Sequence, residues 1–93
     1  MIYMECVNGM TGIKIEEGNA PILLIKARKG LLCCSYFSIE TANRIEDAMA
    51  VVSGVSDFND MLEAEVEAVS DRAKELGVVP GMKGKDALNI MNR

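Results

Sequence analysis

The sequence predicts an α+β domain: an N-terminal antiparallel β-meander with helices packed on the sheet, in one compact unit over residues 1–93. Three observations predict it. Short apolar segments fill the chain up to Phe37, parted by the turn residues Asn8-Gly9, Gly18-Asn19 and Arg28-Lys29-Gly30. Helical spacing of apolar residues starts only after Ser38. Ninety-three residues that are 49% hydrophobic suffice for one core and leave no room for a second.

The elements follow in order. Asn8-Gly9 is the strongest two-residue hairpin signal, because a type I′ turn needs positive φ at both central positions. It pairs a strand at 2–7 with one at 10–16, where Ile13 and Ile15 alternate with Lys14 and Glu16. Residues 20–27 contain Ile22-Leu23-Leu24-Ile25, an unbroken run that reads as a strand covered on both faces. The fourth strand spans 31–37, with Leu31, Cys33, Ser35 and Phe37 on one face and Leu32, Cys34 and Tyr36 on the other. Ser38 is an N-cap for a helix at 39–47, whose Ile39, Ala42 and Ile45 share a side. A buried strand follows at 48–53 and a helical turn at 57–62.

Residues 58–76 carry two patterns. Phe58, Met61, Leu62, Val66, Val69, Ala73 and Leu76 fit one face of a continuous helix. Glu63, Glu65 and Glu67 alternate with Ala64, Val66 and Ala68, which fits a half-exposed strand. The second pattern is preferred: a strand at 63–69, then a helix at 70–77 opened by Ser70-Asp71 and stopped by Gly77. Pro80-Gly81 breaks the chain before a last helix at 84–92, with Ala87, Leu88 and Met91 inward.

Composition removes several function classes. A net charge of −4 argues against nucleic acid as a partner. No apolar run approaches the ~20 residues of a membrane span, and no signal-peptide pattern opens the chain. A cytoplasmic location is therefore expected, and there three cysteines are not a disulfide framework. The lack of histidine removes the usual general base at neutral pH, the Ser-His and Cys-His pairs, and most zinc sites.

Three stretches together bear a likeness to a known family. They are Lys29-Gly30-Leu31-Leu32-Cys33-Cys34-Ser35-Tyr36-Phe37 with Ile39-Glu40-Thr41-Ala42-Asn43, Asp47 to Val55, and Ala73 to Leu88 with its Gly77, Pro80-Gly81-Met82 and Gly84. In order and spacing this resembles the YunC-like domains of unknown function, found in archaea and some bacteria. The resemblance covers most of the chain beyond residue 20. It implies a compact α+β fold and supports a strand at 63–69. Where the family usually has a Met-Cys-Gly run this chain has Cys33-Cys34-Ser35, so Cys34 matches the family cysteine. The family brings no established reaction.

Cys34 is the candidate catalytic residue. A reactive thiol needs a nearby cation or helix N-terminus, and Lys29 precedes the strand while the helix after Ser38 follows it. The competing reading is a small core side chain, since free cysteine is among the most buried types. Lys29, Gly30, Ser38 and Asp47 are candidate ligand-binding residues around it. Lys26, Arg28 and Lys29 form either a solvated turn or an anion-contacting edge. Glu40 and Asp47, two turns apart, are either solvated or a carboxylate pair for acid–base or Mg²⁺ chemistry. Too few oxygen ligands can be placed for a metal site, and no cofactor is indicated. Pro80 to Lys85 precedes a helix but lacks the spacing of a P-loop.

Two functional expectations result. The first is a self-associating binding or regulatory module, a homo-oligomer that takes a small-molecule or anionic ligand, because a chain this short gains by burying more surface. The alternative is a cysteine-dependent enzyme or thiol sensor using Cys34.

Overall fold

The structure, a computed structural model, describes residues 1–16 and 18–93. Ten elements follow in order: β1 (Ile2–Val7), β2 (Met10–Ile15), β3 (Ile22–Lys26), β4 (Leu31–Cys34), α1 (Ile39–Arg44), β5 (Met49–Val52), α2 (Phe58–Glu63), β6 (Ala68–Val69), α3 (Asp71–Leu76) and α4 (Gly84–Met91). The six strands form one sheet in sequence order. The first four are the expected antiparallel meander. β5 then joins β4 in parallel by a crossover through α1, and β6 closes the far edge antiparallel.

The hairpin turn behaves as its sequence requires: Asn8 and Gly9 have φ of 51° and 83°. β4 is shorter than the predicted 31–37. The Phe37 amide donates to the Cys34 carbonyl at 3.2 Å, turning the chain before Ser38 caps α1 through the Thr41 amide. α1 also stops early, at Arg44 rather than 47. The Asp47 amide donates to the Ala42 carbonyl and the Glu46 amide to that of Asn43, with Glu46 left-handed at φ 60°. That is a Schellman closure, built on a residue other than glycine.

The continuous helix is not formed, but the expected strand at 63–69 is mostly irregular extended chain: Glu63 ends α2, Glu65 makes an isolated bridge to Lys83, and only Ala68–Val69 form a strand. Glu63, Glu65 and Glu67 are exposed while Val66 and Val69 are buried. The extended piece is used twice. Its start bonds to the 81–84 turn through Val66 to Met82 and Gly84 to Ala64, and its end pairs with β5 as β6. Ser70 caps α3 and left-handed Gly77 closes it, as expected.

The sheet separates two apolar layers. On one face Leu23, Ile25, Leu32, Cys34, Ala50 and Val52 meet Phe58, Met61, Ala73, Leu88 and Met91 from α2, α3 and α4. On the other, Cys33, Met49 and Val51 meet Ala42 of α1, with Leu24, Leu31, Phe37 and Ile39 around them. The helical layers are therefore unequal, and α1 alone covers the second face. Among the described residues no helix is long and apolar enough to cross a membrane.

Candidate functional site

Cys34 sits on the larger apolar layer. It is 5% exposed, and its Sγ accepts a hydrogen bond from the Leu23 amide at 3.3 Å. Strand alternation sends it away from α1, which lies on the opposite face. Lys29 is at the other end of β4, beyond Leu31. Neither the cation nor the helix start is thus brought to this sulfur. Cys33, facing α1, is fully buried, and burial pushes its thiol up to about 12, with its neighbour Cys34 adding to the shift. Both are free thiols, as is the exposed Cys6.

Gly30 lies where β4, the approach to β5 and the end of α4 converge. A Cβ there would stand 2.5 Å from Met91 Sδ and 2.8 Å from the Ala48 carbonyl oxygen. Its bare backbone serves this close approach. Lys29 and Asp47 do come together, in a polar groove of about 220 Å³ shared with Glu46, Arg72, Glu75 and Ala48. Arg72 is partly engaged there, at 3.4 Å from both the Glu46 carbonyl oxygen and Glu75 Oε1. Lys26 and Arg28 lie elsewhere, in a shallow groove with Thr11 and Asn92, so the basic triplet is divided.

Ser38 and Asp47 belong to a second groove, of about 370 Å³, along α1. Leu31, Phe37, Ala42, Ile45 and Met49 make it mainly apolar, and Tyr36 and Thr41 add hydroxyls. Asp47 borders both grooves. Glu40 lines neither. The early stop of α1 takes Asp47 off the helix, so the two carboxylates do not share a helical face. Among the described residues no group of three or more His, Cys, Asp or Glu could hold a metal ion. The turn before α4 spends its amides on protein carbonyls: Gly81 on Val66, Met82 on Val79 and Gly84 on Ala64.

The groove along α1 was not legible as such. Its signal was the pair Tyr36-Phe37 directly before the N-cap, together with Ile45, which the early helix end leaves 61% exposed. Ser70 was read as a cap but does more. Its hydroxyl accepts from the Met49 amide at 2.9 Å and donates to the Asp47 carbonyl at 2.7 Å, tying the wall of both grooves to α3.

No curated protein matches the chain. Among solved structures, a protein of unknown function, TA1206 from Thermoplasma acidophilum, is similar over 98% of this chain and 91% of that one, with 33% identity and a TM-score of 0.88. The family described as a domain of unknown function (DUF1805) matches residues 33–91, which run from the end of β4 through α4 and hold the residues lining both grooves along Asp47 except Lys29 and Leu31. By that match, the chain belongs to this family.

Proposed function

We propose that the chain is a YunC-like, self-associating binding module of the cytoplasm, whose ligand is a small molecule seated along α1. One observation carries the reading: apolar surface left uncovered on the α1 side of the sheet. Strand pairing puts Ile2, Met4, Ile13, Ile15, Ile22 and Leu24 on that face. Ile2 and Met4 are 66% and 69% exposed, and the others are only half-buried. The patch runs toward Leu31, Tyr36 and Phe37 of the apolar groove. Contiguous exposed apolar surface of this kind marks an interaction site. The net charge of −4 supports a partner other than nucleic acid.

The groove suits a largely apolar body between Phe37, Ile45 and Met49, with polar groups near Ser38, Thr41 and Asp47. An anionic ligand would instead use Lys29 and Arg72 in the polar groove, against the opposing charge of Glu46, Asp47 and Glu75. The alternative reading, a cysteine-dependent enzyme or thiol sensor using Cys34, needs a sulfur that solutes reach. Its burial gives that reading no support.

Sedimentation from low- to high-micromolar concentration tests the association, and should show a mass that grows with concentration. Thermal-shift screening of small apolar compounds tests the groove, with hits abolished by Ile45→Asp. A chain that is monomeric throughout and yields no hits sensitive to Ile45 would overturn the proposal.

A further inference from the structure

We propose that β1 is the joining strand of a symmetric dimer: two copies pair antiparallel along Ile2–Cys6, about a two-fold axis through Met4. The inference rests on the self-association proposed above and names the surface and the register. β1 is the outer strand of the sheet and six residues long, whereas β6 at the opposite edge has two. Exposed edges are usually blunted by proline, lysine or a bulge, because their unpaired amides and carbonyls template further strands. β1 has no proline and no lysine, and it pairs with β2 residue for residue. Glu5 is its one charge, on the face away from Met4.

Hydrogen-bond parity fixes which groups are free. Antiparallel partners alternate between bonded and non-bonded pairs. The Glu16 amide donates to the Met1 carbonyl at 3.0 Å, and Val7 and Met10 flank the two-residue turn. Odd-numbered residues of β1 therefore bond inward to β2. Ile2, Met4 and Cys6 direct both amide and carbonyl outward from the sheet.

Three symmetric registers pair at least two of these residues with each other or their copies. Placing Glu5 opposite its own copy sets like charges together. Placing Tyr3 opposite Tyr3 leaves Cys6 unpaired. Placing Met4 opposite Met4 pairs Ile2 with Cys6 twice and bonds every outward group. It also sets Tyr3 opposite Glu5, which repels nothing. In that register Ile2 and Met4 of both copies adjoin on the α1 side, so the two uncovered apolar patches become one.

The test joins a proline substitution to amide exchange and to cysteine cross-linking. Met4→Pro removes an outward amide and no bond within the chain, so the fold is kept while the pair is broken. The expected result is at least a tenfold weaker dimer with an unchanged circular dichroism spectrum. Amide exchange in the wild type should show Ile2, Met4 and Cys6 protected at high concentration and released on dilution. A short bifunctional thiol reagent should join Met4→Cys in a Cys6→Ser background into a covalent dimer. Bonded antiparallel pairs lie about 5.5 Å apart, within reach of such a linker though wider at Cβ than the roughly 3.5–4.5 Å of a direct disulfide. Native Cys6 should not cross-link, since four residues separate it from its copy, about 13 Å along the strands. A wild type that never associates overturns this inference together with the self-association it rests on. An oligomer with freely exchanging Ile2, Met4 and Cys6 amides, or with Cys6 cross-linking in place of Met4→Cys, overturns the β1 pairing alone.

Discussion

Cys33 and Cys34 are neighbours in sequence whose side chains enter different apolar layers. In native protein a thiol reagent should modify Cys6 quickly, should reach Cys33 slowly through opening of α1, and should reach Cys34 only on global unfolding. Counting fast-reacting thiols per chain checks this, and rapid native labelling of Cys34 would restore the nucleophile reading. Cys33 also gives a pH signature. Its folded value is raised to about 12 from the ordinary 9.0, so below pH 9 the thiol is neutral in both states and stability is unaffected. Above pH 9 the unfolded chain loses its proton first, and stability falls until the folded thiol also ionises near 12. Denaturation across that window should show wild type losing up to about 1.4 kcal/mol per pH unit more than Cys33→Ala. Ser70 is fully buried and bonds three backbone groups, the Asp47 carbonyl and the Met49 and Ala73 amides. Ser70→Ala should cost about 2–3 kcal/mol in urea unfolding, a lost cap plus a buried amide without its acceptor. The sequence announced the cap through Ser-Asp. It could not announce the other two bonds, which join positions more than twenty residues apart.

Among the elements, α1 is closed by a residue poorly suited to its conformation. Glu46 holds a left-handed φ of 60° where glycine is the usual occupant. Glu46→Gly should therefore raise stability by about 0.5–1 kcal/mol, read as a higher midpoint in chemical denaturation. The sequence does not mark this helix end for the same reason: no glycine follows Arg44, and the apolar spacing of Ile39, Ala42 and Ile45 runs past it. α4 shows the reverse. Its Gly84 is a poor helix former, yet an added Cβ would strike the Met61 carbonyl and stand 2.9 Å from Leu32 Cδ2. Gly84→Ala should destabilise by about 1–3 kcal/mol, against the gain that helix propensity alone would give. The extended run that ends in β6 was legible because Glu65 and Glu67 alternate with Ala64, Val66 and Ala68, though the same alternation wrongly drew Glu63, the last residue of α2, into it. Its division between the 81–84 turn and β5 was not, since alternation states which face is wet and is silent about neighbours.

For the molecule as a whole, the meander was legible because each turn carries its own chemistry, and consecutive strands joined by short turns can only pair antiparallel. The parallel β4–β5 pairing lacked such a marker, although the helix between them is the usual device for such a crossover. Of the candidate site residues, Lys29 and Asp47 line one groove and Ser38 and Asp47 line the other, each across the β4–α1–β5 connection. Cys34 and Gly30 went into packing instead, because residue type and strand phase do not tell which face a helix will cover. Amides at Leu23, Ile25, Leu32 and Val52, on central strands beneath three helices, should exchange only by global unfolding. The unequal layers have one more consequence. The smaller one rests on Cys33, Ala42, Met49 and Val51, so a six-residue helix can peel away while the opposite side stays closed. Opening on that side should therefore cost less than global unfolding, and a guest admitted beneath α1 would draw its affinity from how often the flap is already ajar.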